Sequence, residues 1–365
     1  MLRREFLRNT AALMVAGGLP RAAFADAPFA PQPGPWRKFE ITTRVEIIAS
    51  GGKAQAWLPL PAVAEPEWTQ PLGNEWTTNA KSAALKRDAK YGAQMLHVEW
   101  ADAESAPEVE LVSRITTCDR AIDFSKQGSV QPISIAERKL YTAATELMPT
   151  DGIVKTTAER IVGWAFTDLQ KARRIYEWIV DNTFRDPKTR GCGIGDIASM
   201  LKSGDFGGKC ADLNALYVGL ARAVGLPARD VYGIRIAPSR FGYKSLGANT
   251  EVISKAQHCR AEVFLSGFGW VPVDPADVRK VVLEEPPGRL ALDDPKVLAA
   301  RKTLFGAWET NWLAYNVAHD LELPGSSGAK VAFLMYPQAE VGSERLDSLE
   351  PDQFKYVITA REILG

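Results

Sequence analysis

The sequence predicts an α+β chain: an N-terminal antiparallel β-sandwich-like domain followed by a second domain in which helices lead into antiparallel strands. Three observations carry this prediction. Before residue 130 the apolar stretches alternate in period two and are rich in β-branched and aromatic residues. From Ser134 to Gly225 the apolar residues recur at helical spacing behind capping signals. After Arg229 the strand pattern returns, and helices followed by strands argue for an α+β core.

The first element is not part of the fold. Residues 1–25 combine a basic start, an apolar stretch from Ala11 to Leu19 and the cleavage-like Ala23-Phe24-Ala25, which reads as an export signal. Arg3 and Arg4 followed by Phe6 and Leu7 look like a twin-arginine signal, so the expected location is the periplasm. Cleavage after Ala25 removes four arginines and one glutamate from a chain with 44 basic and 44 acidic residues, leaving a formal charge of −3. That balance excludes an electrostatic case for nucleic acid or an anionic membrane. No later apolar run approaches the roughly 18 residues of a membrane span, so the mature chain is expected to be soluble.

Residues 26–35 are proline-rich and read as a linker. The sandwich domain is assigned to 36–130, with strands over "KFEITTRVEII", "KAQAWLPLP", "QMLHVEW" and "EVELVSRITT" and a hairpin turn at Gly51-Gly52. His97 falls in one of these strands and is expected to face solvent. The second domain is assigned to 131–290. Ser134 and Glu137 form a capping box, and the same signal at Thr156 and Glu159 predicts another helix start. "DLQKARRIYEWIVDN" places Leu169, Ala172, Tyr176, Ile179 and Val180 on one face. Residues 291–365 are expected to be an extension packed on this second domain.

The stretch "GGKCADLNALYVGLARAVGLPAR" is the most informative. Leu213, Leu216, Tyr217, Leu220, Ala221 and Val224 define one buried helical face, and Gly225 and Pro227 end the helix. The helix begins at or just after Cys210, where free N–H groups and the helix dipole favour a thiolate. Gly207 and Gly208 are expected to let a substrate approach the backbone. A nucleophile needs a base, and "HCRAEVFLSGFGWVPVDP" supplies His258 and Asp274 on an apparent hairpin. Strand alternation puts Asp274 beside His258 only if the register aligns even with even residues. In that register Cys210, His258 and Asp274 form a nucleophile, base and orienting acid.

These segments resemble the transglutaminase-like superfamily: a glycine-led Cys at a helix start with a Gly-Leu-Pro-Ala-Arg ending, then H-x-W-x-E, then G-W-x-x-x-D-P. The resemblance covers directly about residues 165–275 and implies a papain-like α+β core with Cys210, His258 and Asp274 as its triad. It also implies a thioester intermediate resolved by water, giving protease or amidase activity, or by an amine, giving cross-linking; hydrolysis is favoured. One departure is Arg260, where the family often has an aromatic residue. Arg260 is read as pairing with Glu262 or with a substrate carboxylate, and Trp270 as packing over the site or into the core. The partner is a protein or peptide, cell-wall peptide included, or a small amide.

Other readings weigh less. A phosphate loop needs glycine at 203 and Ser or Thr at 210, where Ser203 and Cys210 stand. A zinc site from Cys192, Cys210, His258 and Cys259 lacks a C-x-x-C pair. No calcium loop and no G-x-S-x-G elbow are present, so no cofactor and no serine chemistry are implied. "GCGIG", residues 191–195, reads as a flexible loop that brings Cys192 near the cleft. With Cys210 reserved for chemistry, Cys118, Cys192 and Cys259 leave room for at most one disulfide. His319 and Asp320 read as a solvated pair. A non-catalytic peptide-binding module is the alternative from a different class.

Overall fold

The computed structural model describes residues 28–48, 52–101, 106–128 and 130–363; the export signal read from residues 1–25 and Gly51 of the expected hairpin lie outside them. The chain is α+β, with antiparallel main sheets. One sheet of the sandwich runs Tyr356–Ile363, Arg37–Glu46, Glu108–Thr117, Thr69–Thr78. The other runs Glu344–Arg345, Gln338–Val341, Ala54–Leu60, Gln94–Trp100, Ser82–Arg87. Phe39, Ile41, Val109 and Leu111 from the first meet Ala56, Leu58, Leu96 and Val98 from the second in one core. This is what period-two alternation requires of two facing sheets. Ala54–Leu60 is instead buried on both faces. Its outer side is covered by the segment carrying Leu321, Leu323 and Leu334, which packs on Trp57.

The structure corrects three expectations about organisation. Arg37–Glu46 and Ala54–Leu60 lie in different sheets, so these two strands do not pair as the expected hairpin. Both edges of Arg37–Glu46 are already taken, by Glu108–Thr117 and Tyr356–Ile363. Residues 291–365 divide between the two bodies. The helix Pro295–Thr303 and the strand Trp312–Asn316 join the second domain, whereas Gln338–Val341 and Tyr356–Ile363 complete the sandwich. Tyr356, Ile358 and Ala360 have an apolar face to bury, and the first strand would otherwise be an open edge. Finally, the helix expected from Thr156 begins at Gly152 behind Asp151, and Thr156 sits inside it, donating to the Gly152 carbonyl at 3.0 Å. The Ser134 capping box forms as read.

The second domain centres on a four-stranded sheet in the order Gly269–Val273, Gln257–Leu265, Ala228–Arg235, Trp312–Asn316. The helix Cys210–Ala223 packs across it, enclosed on its other sides by Gly152–Val162, Asp168–Asn182, Ile197–Ser203 and Pro275–Glu284. Every residue from Cys210 to Arg222 is therefore buried, more than the one face that periodicity predicts. Leu213, Leu216 and Leu220 are fully buried, each contributing about 1.5–3 kcal/mol of transfer free energy. Gly225 takes φ +82° and ends the helix. The cysteine thus stands at the start of a helix that is buried from Cys210 to Arg222.

Candidate active site

Cys210 is the first residue of that helix and opens onto a cleft of about 600 Å³. Its position is fixed by the turn before it. The Asp212 carboxylate accepts N–H bonds from Ile194 and Gly195 through one oxygen and from Lys209 through the other, all at 3.0 Å. A Cβ on Gly208 would lie 2.7 Å from the Asp212 side chain, and one on Gly193 would lie 1.8 Å from it. This corrects the expectation for Gly207 and Gly208. They pair with Phe184 and Arg185 and make room for Asp212 and the Phe184 ring, and neither lines the cleft.

The register between Gln257–Leu265 and Gly269–Val273 aligns odd with odd and even with even residues, from Leu265↔Gly269 to Ala261↔Val273. Continued one pair further it sets Asp274 beside Arg260, on the face shared with His258. His258 Nε2 lies 2.7 Å from Asp274 Oδ2. Asp274 is also the N-cap of the helix Pro275–Glu284, so its Oδ1 accepts from Asp277 N at 3.0 Å and from Asn214 Nδ2 at 3.2 Å. The acid is held by two donors before the imidazole leans on it.

Four residues that sequence reading missed complete the arrangement. Asp277 Oδ2 lies 3.4 Å from the same imidazole nitrogen, and Arg235 holds Asp277 at 2.5 Å. Asn214 ties Asp274 to the Cys210 helix and also donates to the Cys259 carbonyl at 2.8 Å. Tyr336, from the C-terminal segment, lines the cleft beside Cys192. None has a local sequence signature, although Asp277 stands three residues after an N-cap aspartate that is followed by proline, where a first-turn acid is favoured. Cys192, expected near the cleft, lines it, and its carbonyl accepts from Ala211 N at 2.8 Å.

Arg260 stands elsewhere than expected, and of the two readings of Trp270 the core one is found. Arg260 is 2% exposed, between the Trp308 and Trp312 rings at 5.3 and 4.8 Å, with Nε 3.6 Å from Asp274 Oδ2. It backs the acid and does not wall the cleft, and burial lowers its pKa to about 10. It does not pair with Glu262, which is held by Arg229 and Arg120. Trp270 packs against Tyr141 and Phe264 with the Arg229 guanidinium 4.1 Å over its ring, away from the cleft. The even-numbered strand face that carries His258 runs into the interior, so only its first residue reaches the site.

The electrostatics divide the groups clearly. Burial and Arg235 oppose the charged form of His258, but Asp277 and Asp274 prevail and raise its pKa to about 10. The Cys210 thiol is held well below its ordinary value by hydrogen bonds from the Cys192 and Cys259 thiols and by His258, against burial. Cys192 and Cys259 are pushed well up, the first chiefly by its bond to Cys210 and the second by burial. All four cysteines are buried and free of disulfides. These directions favour a thiolate beside an imidazolium over a neutral thiol and imidazole. His258, Asp274 and Asp277 bring one ligand atom each within 4.8 Å of the others. Arg235 and Arg260 already supply positive charge to those carboxylates, so the donor set suits proton transfer better than a cation.

Residues 155–275 match the model of the transglutaminase-like superfamily. An uncharacterized protein of Haemophilus influenzae is 36% identical over 342 residues, covering 89% of this chain and 91% of its own length. Among solved structures, a candidate cysteine protease from Cytophaga hutchinsonii aligns with TM-score 0.48 at 14% identity, over 90% of this chain and 99% of that one. The periplasmic domain of TgpA from Pseudomonas aeruginosa aligns with TM-score 0.36 at 15% identity, over 67% and 88%.

Proposed function

The chain belongs to the transglutaminase-like superfamily, and from that premise we propose that it is an exported thiol hydrolase acting on peptide or carboxamide bonds. The observation that carries the reading is the 2.7 Å contact between His258 and Asp274 beside a cleft-lining Cys210 whose thiol is held well below its ordinary pKa. The Cys210 thiolate attacks the carbonyl carbon, and the C=O electron pair moves onto oxygen. The Cys210 N–H, first in the helix and without an intrahelical acceptor, is available to that oxyanion. As the tetrahedral species collapses, His258 gives its proton to the leaving nitrogen and a thioester remains. Water then attacks the thioester, His258 takes the water's proton, and the acid departs as Cys210 is restored. Asp274 keeps the imidazole oriented throughout. Export rests on residues 1–25, and among the described residues no helix is long and apolar enough to cross a membrane.

The test is to incubate the purified protein with a complex peptide extract, quench in acid and search for acyl adducts by mass spectrometry. The reading expects an adduct on Cys210 that is absent from Cys210→Ala and that decays with release of free acid. Persistence of the same product profile in Cys210→Ala would sink it. A labelled primary amine in the mixture separates hydrolysis from cross-linking: incorporation into peptide would overturn the preference for water.

A further inference from the structure

The chain as a whole is electrically balanced, with 44 basic and 44 acidic residues, yet its cleft is not. Arg185, Lys209, Arg235, Lys255 and Lys280 line it, against the single carboxylate of Glu350. Half of these charges are already matched. Arg235 is bound to Asp277 at 2.5 Å, Lys255 to Asp352 at 3.1 Å, and Glu350 to Arg190 at 3.1 Å. The remainder is a surplus. Arg185 and Lys280 share one acid, Glu284, and Lys209 has no carboxylate partner among the described residues.

The surplus is built into the fold close to the nucleophile. Arg185 sits on the short strand paired with Gly208, two residues before Cys210, and Lys209 immediately precedes the thiol. Lys280 projects from the helix capped by Asp274. The Arg185 and Lys280 side chains are only 13% and 17% exposed, so packing limits their freedom to swing away. Burial and the neighbouring Arg185 and Arg235 lower the Lys280 pKa, as expected where cations crowd without enough counter-charge. On the segment that brings Leu349 to the cleft, the one lining carboxylate, Glu350, is already engaged by Arg190. A cleft with fixed excess charge of one sign concentrates ligands of the other sign.

We propose that Arg185, Lys209 and Lys280 form a carboxylate subsite, so that the preferred acyl donor is a peptide bearing a carboxylate within one or two residues of the bond attacked. The carboxylate comes from an acidic side chain or from a free C-terminus; both present the same planar anion to a guanidinium and two ammonium groups. This deepens the thiol-hydrolase reading and rests on it.

The two ideas are separated by measuring Cys210 alkylation with anionic iodoacetate and neutral iodoacetamide, sites assigned by mass spectrometry. The rate ratio of the two reagents is compared among wild type, the Lys209→Gln/Lys280→Gln double variant, Lys209→Arg, and Lys81→Gln in the sandwich domain. The subsite predicts a ratio lowered roughly fivefold or more in the double variant, the scale of two screened charges acting on one anion. It also predicts a ratio kept by Lys209→Arg and by Lys81→Gln. An unchanged ratio in the double variant, with Cys210 still alkylated, overturns the subsite and leaves the thiol reading standing; no alkylation by either reagent overturns both. Short peptides with Asp or Asn beside the cleaved bond, each with a free or amidated C-terminus, then identify the source. Faster turnover of Asp peptides assigns a side-chain carboxylate, faster turnover of free C-termini assigns the terminus, and equal turnover of all four rejects the subsite.

Discussion

The described residues include two buried histidine–aspartate pairs, and they have opposite characters. His258 lies 2.7 Å from Asp274 and 3.4 Å from Asp277, and its pKa rises to about 10. His319 lies 3.5 Å from Asp230, accompanied by the Tyr232 hydroxyl at 3.2 Å, and its pKa falls well below the ordinary value. Burial disfavours charge at both. The difference lies in the neighbours. His258 faces two carboxylates that are themselves anchored by Asn214, Arg235 and a helix N-terminus. Burial, Arg222 and Lys90 all press the proton off His319, while burial raises Asp230 to about 7 against the pull of Arg222. Neither Asp230 oxygen has a hydrogen-bond partner among the described residues. A histidine beside an aspartate is thus an ion pair or a neutral pair according to what holds the aspartate.

The largest expected effect comes from removing that support at the first pair. Asp274→Asn should lower turnover by roughly 10³- to 10⁴-fold with the fold intact, because the amide favours the wrong imidazole tautomer. Steady-state kinetics beside a circular-dichroism spectrum checks it. Asp230→Asn should leave turnover within about twofold, since His319 and Asp230 do not line the cleft. Equal losses from the two substitutions would mean that the distinction between the pairs is wrong.

The second pair makes a smaller prediction, read in stability. A raised carboxyl pKa means that the folded chain keeps a proton that the unfolded chain releases, so Asp230 alone makes stability fall as pH rises from about 4 to about 7. A lowered histidine pKa means the reverse, so His319 alone makes stability fall as pH drops below 6.5. Between these limits the folded pair holds one proton, on Asp230, and the unfolded pair holds one, on His319. The slopes cancel. Each single substitution should therefore expose the other residue's slope. His319→Gln should lose melting temperature from pH 4 to 7, and Asp230→Asn should gain it from pH 4 to 6.5. Flat profiles in both variants would contradict the neutral pair.

The contrast also explains how much was legible in advance. The even-with-even register stands in the sequence only as a condition for the triad, whereas the Cys210 helix and the His258 strand follow from periodicity, because each depends on a short stretch of chain. The sandwich strands were legible for the same reason, but not their partners. That Tyr356–Ile363 closes the first sheet depends on an edge more than 300 residues away in sequence. His97 was misread through the assumption that a polar residue on a strand faces solvent, and Arg260 by looking for its partner in the nearest acid, Glu262, or in a substrate. Arg260 is enclosed by tryptophans donated from 308 and 312, and His97 is 5% exposed, stacked 5.3 Å from Trp57 and bonded to Gln55. His319 was misread likewise, and Asp320 is not its partner but accepts from Glu146 N at 3.1 Å. The charges that govern His258 come from Asp277 and Arg235, which no motif around the histidine marks.

The most direct test of the ion-pair state is the pH dependence of Cys210 alkylation by iodoacetamide, from about pH 4 to 11, in wild type and in Asp274→Asn. A thiol held well below its ordinary 9.0 beside a histidine raised to about 10 predicts a wild-type rate that is already near its plateau at pH 6. It predicts a second change only near pH 10, as His258 loses its proton, and an earlier second change in Asp274→Asn. A wild-type rate that stays low at pH 6 and climbs only toward pH 9 would show an ordinary buried thiol and would contradict the account.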